Sequence, residues 1–267
     1  MSSDKKALLL YFDLETTGLS RWNDHITQIG TTCILRPSEG PPRKIGDFEV
    51  LVNSGHRIQD SASKKTGITD EMVRKAPSTA EAIQQWTKWL AETREKHDLV
   101  TQPATLVAYN GMNFDFPVLL MELHRCNIPS IVFFNTNRIQ FFLDPLIWAR
   151  DSLVTDNLIR NTRGNCSFVL SDLYKSITGK KLENAHTALA DTDGLGEVCE
   201  STHFADMRHC ECTNYCLKSS AFCSDFLQQR RKRTQSGKNC QRQQVRSLIS
   251  MKRKRMEGTE SPKKKMK

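Results

Sequence analysis

The sequence predicts an α/β protein built on a mixed β-sheet with helices on both faces. Three observations carry this. The short, continuous apolar run Ala7–Phe12, bounded by polar residues, reads as a buried strand. Two more strand-like runs, Ile26–Leu35 and Asp47–Asn53, follow it and make an antiparallel meander. Beyond them, strand-like and helix-like segments alternate, as in β-α units that pack helices against a sheet.

Taken in order, the opening strand runs into Asp13-Leu14-Glu15-Thr16-Thr17-Gly18-Leu19, and Gly18 and Asn23 mark the loop that follows. Pro37, Gly40, Pro41 and Pro42 exclude a strand interior between the second and third strands. Thr69 is the N-cap of a short helix, and Ser78 or Thr79 starts a longer one with Ile83, Trp86 and Leu90 on one face. Ala104–Tyr109 is a short strand, Asn110–Asn113 a loop, and Asp115 opens a helix to about Cys126 that tolerates Pro117 in its first turn. Phe141–Asp144 is a further strand, with Asp144-Pro145 as the next helix start. Ser171 caps a helix that stops before Gly179, and a last helix runs from about Thr187 to Cys199.

Composition narrows the class. An apolar fraction of 38% with 12 Phe can furnish a core, and no apolar run reaches the roughly 18 residues of a membrane span. Without a secretory leader pattern, the odd count of 9 scattered Cys points to reduced thiols and an intracellular protein. The net charge of +9 is a property of one end. Residues 230–267 hold 15 of the 39 Lys/Arg and 2 of the 30 Asp/Glu, or +13, which leaves −4 on residues 1–229. The chain divides accordingly into a domain at 1–203, a Cys-rich extension at 204–229 and a disordered basic tail at 230–267.

The chemistry gathers at acids. On a strand, Asp13 and Glu15 project to one side, about 7 Å apart at the backbone. Two carboxylates held so at the end of a buried strand call for a cation, and oxygen ligands suit a hard divalent ion such as Mg2+ or Mn2+. Thr16, Thr17 and Gly18 offer hydroxyls and backbone N–H groups at the turn. A strand ending in a solvated acidic turn is the plain alternative. Asp115 lies where the chain passes from sheet to helix, a place where ligands collect in open α/β sheets. His186 and Asp191 differ by about 140° on a continuous helix, so His186 belongs to the loop entering that helix and Asp191 to its first turns. Small Ala188 and Ala190 would let the helix lie close to the sheet. Taken singly, Asp115 could be an N-cap, His186 a loop histidine and Asp191 an acid compensating the helix dipole; Asp193 reads as such a surface acid.

Together, Asp13-x-Glu15, Asp115 and His186-x4-Asp191 resemble the DEDDh, or DnaQ-like, 3′–5′ exonuclease family. Its three motifs are matched by residues 12–19, 110–115 and 186–191, and the similarity spans roughly residues 7–200. Leu106–Gly111 with Phe114–Pro117, together with Thr66–Thr69, most resembles the three-prime repair exonuclease branch. Tyr109 stands where that branch has a histidine, and the branch's proline-rich insertion and hydrophobic membrane tail are replaced by the basic tail.

The resemblance implies a ribonuclease-H-like fold and two-metal hydrolysis of a terminal phosphodiester, releasing nucleoside 5′-monophosphates. Asp13, Glu15, Asp115 and Asp191 would hold two Mg2+ or Mn2+ ions, and His186 would act as general base toward water. Backbone groups at Glu15, Thr16 and Gly18, with Thr17 beside them, would bind the terminal nucleotide, Leu19 would pack on its base, and Asn110 would help position the penultimate phosphate. The implied partner is a DNA 3′ end, single-stranded or frayed. An RNA exonuclease of the same fold and a non-catalytic exonuclease-like module are the alternatives. Modules of that sort usually lose one or more ligands, whereas all four acids and the histidine stand here. The branch's habit of pairing through sheet edges makes a homodimer an open alternative.

Cys210, Cys212, Cys216 and Cys223, with His203 and His209 nearby, could ligate a structural Zn2+, although paired C-x-x-C knuckles are missing. The runs Arg230–Arg233, Lys252–Arg255 and Lys263–Lys265 read as signals for the nuclear import machinery or as a phosphate-binding arm, with a solvated tail as the alternative. The expected location is the nucleus, with the cytoplasm as a second site.

Overall fold

The computed structural model describes residues 6–153, 158–204, 216–230 and 232–233. The chain forms two compact units, Met1–Cys223 and Ser224–Lys267; of the second, residues 224–230 and 232–233 are described, and they are helical.

The first unit is organised on a six-stranded sheet of order β3-β2-β1-β4-β5-β6. The strands β1 (Ala7–Thr16), β2 (Ile26–Arg36) and β3 (Arg43–Leu51) form the antiparallel meander the sequence predicts. β4 (Ala104–Val107) and β5 (Ile139–Leu143) continue the sheet in parallel with β1, and β6 (Cys216–Lys218) closes it antiparallel to β5. The Cys-rich segment read as a separate extension therefore supplies an edge strand to this sheet. A three-residue strand carries too little pattern to be seen in the sequence.

β1 is central and buried on both faces, so it reads as a continuous apolar run instead of an alternation. Leu9 and Tyr11 join one core with Ile34, Leu173, Leu195 and Val198. That face is covered by α7 (Leu170–Thr178) and α8 (Ala188–Glu200). Phe12 points the other way, its ring 5.2 Å from Trp86 of α3 (Thr79–Lys96). On the same side Phe142 of β5 stacks on Phe116 of α4 (Asp115–Arg125) and meets Phe134 of α5 (Ser130–Thr136) edge-on. Each such fully buried side chain contributes roughly 1.5–3 kcal/mol over its exposed state, so the sheet is a stiff support for groups at its strand ends.

The caps decide the helix starts. Ser78 is the N-cap of α3 through a reciprocal box, its hydroxyl accepting from Glu81 N while Glu81 Oε2 accepts from Ser78 N at 2.8 Å. Thr69 caps the short α2 (Asp70–Val73), and Asp144 caps α6 (Pro145–Ser152). α7 begins at Leu170 instead of being capped by Ser171. Ser167 holds its start by donating to Asp172 Oδ2 at 2.6 Å, so Ser171 lies inside the helix. Two helices carry too little pattern to be predicted. α1 (Asp60–Thr66) buries none of its residues, and α5 buries only Phe133 and Phe134.

Candidate active site

The end of β1 gathers the acids. Asp13 and Glu15 stand on the α8 face of the sheet, in step with Tyr11. Asp13 pairs in register with Gly30 of β2, and a Cβ at Gly30 would lie 2.6 Å from Ala188 Cβ and 2.7 Å from Ala188 O. This glycine is required because the first residue of α8 rests on the strand beside Asp13. One turn further on, Asp191 is brought over β1: a carboxylate oxygen from each of Asp13, Glu15 and Asp191 lies within 4.8 Å of the others. Ala188 is fully buried, as the close approach requires, whereas Ala190 stays partly exposed.

The start of α8 is held by the sheet and not by its own N-cap. Thr187 makes no side-chain cap. Gln28 Oε1 accepts from Ala188 N at 3.1 Å and Glu49 Oε1 from Leu189 N at 3.2 Å, which satisfies two amides of the first turn. Gln28 is itself the register partner of Glu15. The pairing that orders the strands therefore also aims the helix.

Asp115 enters from the opposite side of the strand end. β1 pairs with β4 only as far as Tyr11–Val107, and beyond that point Leu14 N donates to Asp115 Oδ1 at 3.1 Å. The fourth acid is thus tied to the backbone between Asp13 and Glu15. His186 sits in the loop ahead of α8 with φ +73°; its N–H donates to both Asp191 oxygens at 3.2 and 3.3 Å, and its Nδ1 lies 4.0 Å from Asp191 Oδ2. The ring is 42% exposed, open to a small molecule in solvent. The structure thus brings Asp13, Glu15, Asp115, Asp191 and His186 together.

Electrostatics show what the cluster lacks. Burial first, then the charges of Asp115, Glu15 and Asp191, push the Asp13 carboxyl well above its usual range. Burial and Asp191 raise Glu15 to about 8, and burial raises Asp115 to about 7 against the Leu14 amide. Asp191 is raised too, burial outweighing the His186 amide and ring. Such a set is stable in ionised form only with added positive charge. An all-oxygen donor set at this spacing fits a hard divalent ion.

The neighbouring residues are placed less uniformly. Thr16 Oγ1 donates to Gly18 O at 2.6 Å and Thr17 Oγ1 to Asp24 Oδ1 at 3.0 Å, both buried. These two hydroxyls are engaged within the turn. Leu19, at the tip of that turn, is 84% exposed. Asn110 takes φ +60°, with its N–H on Asp144 Oδ1 and its own Oδ1 accepting from Asn113 Nδ2. Tyr109 donates to Phe168 O at 2.7 Å and packs on the α8-side core, so its hydroxyl is engaged inside the protein. Asp193 faces away from the cluster, bonded by Thr32 and Lys44, in keeping with its reading as a surface acid.

Three supporting residues escaped the sequence reading. Asp24 gathers the Thr17 hydroxyl, Ser20 N and Gln59 Nε2, and so sets the turn after β1. Asp144, fully buried, accepts from Asn110 N, Met112 N and Leu146 N and fixes the turn that leads to Asp115. In the sequence it shows only as a helix start. Gln28 had no signal at all, being one of several polar residues in its strand, beside Thr27, Thr31 and Thr32.

In the Cys-rich segment, Cys210, Cys212, His209 and the side chain of Cys216 lie outside the described residues, as does nearly all of the basic tail. Cys223 is a buried free thiol pushed up to about 11 by burial, and His203 is exposed. No helix among the described residues is long and apolar enough to cross a membrane.

A ribonuclease-H-like sheet with acids converging at the end of its central strand defines a nuclease class, and comparison with known proteins agrees. The model of the exonuclease family RNase_T matches residues 10–198, and the chain belongs to that family of DnaQ-like exonucleases. It is 32% identical over 187 residues to the PolC-type DNA polymerase III of Lactococcus lactis, covering 70% of this chain and 9% of the relative. A PolC-type polymerase of Streptococcus pneumoniae is 26% identical over 193 residues, covering 72% of this chain and 11% of the relative. The fold is shared with E. coli exonuclease I solved with a dT13 oligonucleotide: TM-score 0.60 and 21% identity, over 76% of this chain and 43% of that one. The chain thus spans about a tenth of the curated relatives and under half of the solved enzyme. It carries an exonuclease domain, a nuclease hydrolase of a family that uses divalent metals.

Proposed function

We propose that the protein is a 3′–5′ exonuclease that removes nucleoside 5′-monophosphates from DNA 3′ ends, with single-stranded or frayed ends preferred. The observation that carries this is the convergence of Asp13, Glu15, Asp115, Asp191 and His186 on one strand end with an uncompensated excess of negative charge. Asp13, Glu15, Asp115 and Asp191 would hold two Mg2+ or Mn2+ ions. When bound, these supply an acidified water and positive charge facing the departing 3′ oxygen. His186 takes the proton of the attacking water at Nε2, since its Nδ1 is turned toward Asp191. Asp191 orients that ring by holding the His186 amide. Exposed Leu19 would offer an apolar surface for the terminal base, and Asn110 would help position the following phosphate. The acidic domain draws no long-range help from its own net charge of −4, and the +13 tail supplies it while also serving as a nuclear import signal.

The test uses purified protein with 3′-labelled single-stranded DNA, duplex DNA and RNA, in Mg2+ and in EDTA. Release of labelled mononucleotide from single-stranded DNA, stopped by EDTA and absent in Asp13→Asn and Asp191→Asn, is the expected result. Faster release from RNA would move the substrate to RNA. Activity retained in either Asn variant would overturn the assignment of the acids.

A further inference from the structure

A phosphodiester strand approaching this site meets four carboxyl groups, and bound ions act only on the phosphate that reacts. The rest of the incoming backbone needs a cation from the protein. Most candidates near the site are already engaged. Arg21 donates to Asn113 O and lies over the Trp22 ring, Arg57 pairs with Asp60, Arg74 with Glu71, and Arg125 with Glu122.

Lys65 is different. It stands exposed in the last turn of α1 and makes no ion pair or hydrogen bond among the described residues. Its charge is nevertheless felt at Asp13, Glu15 and Asp191, where it opposes the effect of burial. Its support is firm. At the start of α1, Gln59 N donates to Thr17 O at 2.9 Å and Gln59 Nε2 to Asp24 Oδ1 at 2.9 Å. A Cβ on Gly18 would collide with that Gln59 amide and lie 2.7 Å from Asp24 Oδ2, so α1 is seated directly on the turn that follows the catalytic strand. At the other end Gly67, in the left-handed conformation at φ +75°, closes the helix on Ser63 O. Ile68 then anchors the chain in a small core with Ile58 and Val73. This short helix, none of its residues fully buried but Ala62 packed against that small core, is thus fixed in place, and it presents Lys65 where its charge reaches the acids.

We propose that Lys65 is a substrate-binding residue that takes a backbone phosphate of the nucleic-acid strand entering the site, with Lys64 widening the positive rim. This rests on the exonuclease reading above. It assigns to α1 a role that neither its sequence pattern nor its packing explains: α1 is a perch for cations at the mouth of an acidic site.

The competing role for Lys65 is a counter-ion to the carboxylates, and the two roles give effects of opposite kind. As a phosphate ligand, Lys65→Ala should raise KM roughly 3- to 20-fold, the range of an exposed to partly desolvated charged contact. It should leave kcat within about twofold, and the log–log salt slope for single strands should shrink by about 0.7. Lys65→Arg should restore most of the affinity. As a counter-ion only, the same variant should bind Mn2+ more tightly in a titration without DNA and leave KM and the salt slope unchanged, which would overturn the proposal. If nothing changes, the lysine is merely solvated and the proposal also fails. Equilibrium binding of a short oligothymidylate with Ca2+ in place of Mg2+ keeps the test independent of turnover. A wild type that binds but never cleaves would refute the exonuclease reading, while the Lys65 contact would still be read from the loss of affinity in Lys65→Ala.

Discussion

Replacing Glu15 by Gln should make the metal-free protein more stable, and by an amount that depends on pH. Burial and Asp191 raise the Glu15 carboxyl from 4.5 to about 8. A carboxyl whose folded-state pKa lies above its unfolded value binds its proton more tightly in the folded protein. Stability is therefore present at low pH and is lost as pH rises from about 4.5 through about 8. At 1.36 kcal/mol per pKa unit, the loss at pH 7 has a ceiling of about 3 kcal/mol. Water entering a site that stays partly open reduces this to roughly 1–3 kcal/mol. For a domain of this size that is roughly 2–12 °C in Tm. Gln keeps the shape and removes the charge, and it also relieves Asp13 and Asp191, so both effects have the same sign. The assay is thermal unfolding of both proteins in EDTA from pH 5 to pH 8.5, repeated with Mn2+. The variant should unfold at a higher temperature at pH 8, the difference should shrink toward pH 5, and Mn2+ should stabilise the wild type far more than the variant. A variant less stable at pH 8, or a difference that ignores pH, would refute the view that these carboxyls are held together against their charge.

Other outcomes follow from the same geometry. His186→Ala should lower kcat by roughly 10²–10⁴ while Mn2+ affinity measured by calorimetry stays the same, because proton removal passes to solvent; lost Mn2+ affinity would make His186 a ligand. Gly30→Ala should destabilise the fold by roughly 1–3 kcal/mol in chemical denaturation. It should also reduce activity in the surviving folded protein, since the new methyl meets Ala188 and pushes Asp191 away from Asp13. Deleting residues 230–267 should weaken DNA binding and flatten a salt slope that would be roughly −3 to −4 for four to six phosphate contacts. Turnover at saturating substrate should hold, and a fluorescent fusion should lose its nuclear accumulation. An unchanged slope with lost accumulation would leave the tail only an address signal.

Much of the architecture was legible because one mechanism dominates it. The run Ala7–Phe12 is apolar because its strand is buried, and Ser78, Thr69 and Asp144 mark helix starts because their side chains satisfy local amides. The acids were legible as well, since carboxylates and a histidine at these spacings have few uses besides holding metal and moving a proton. His186 could be placed ahead of its helix by counting degrees per residue, and the structure finds it there, with φ +73°.

The tertiary structure alone decided how those groups meet. Contacts between residues far apart in the chain leave no local trace, so nothing near Asp191 announces that Gly30, 161 positions earlier, must lack a side chain for α8 to settle. Nor does the sequence show that Gln28 and Glu49 cap that helix from across the sheet, or that Asp115 binds the Leu14 amide where β4 ends. The Thr16 and Thr17 hydroxyls look available on paper because exposure is not a local property; folding turns both inward. α1 is the clearest case. With no apolar face it has no periodicity to read, and only the docking of Gln59 on Asp24 and Thr17 shows that it belongs at the site. Residue type and spacing determine what chemistry a chain can do. Where those residues stand, and which of them remain free to act, is set by long-range packing and by the hydrogen bonds that buried backbone groups require.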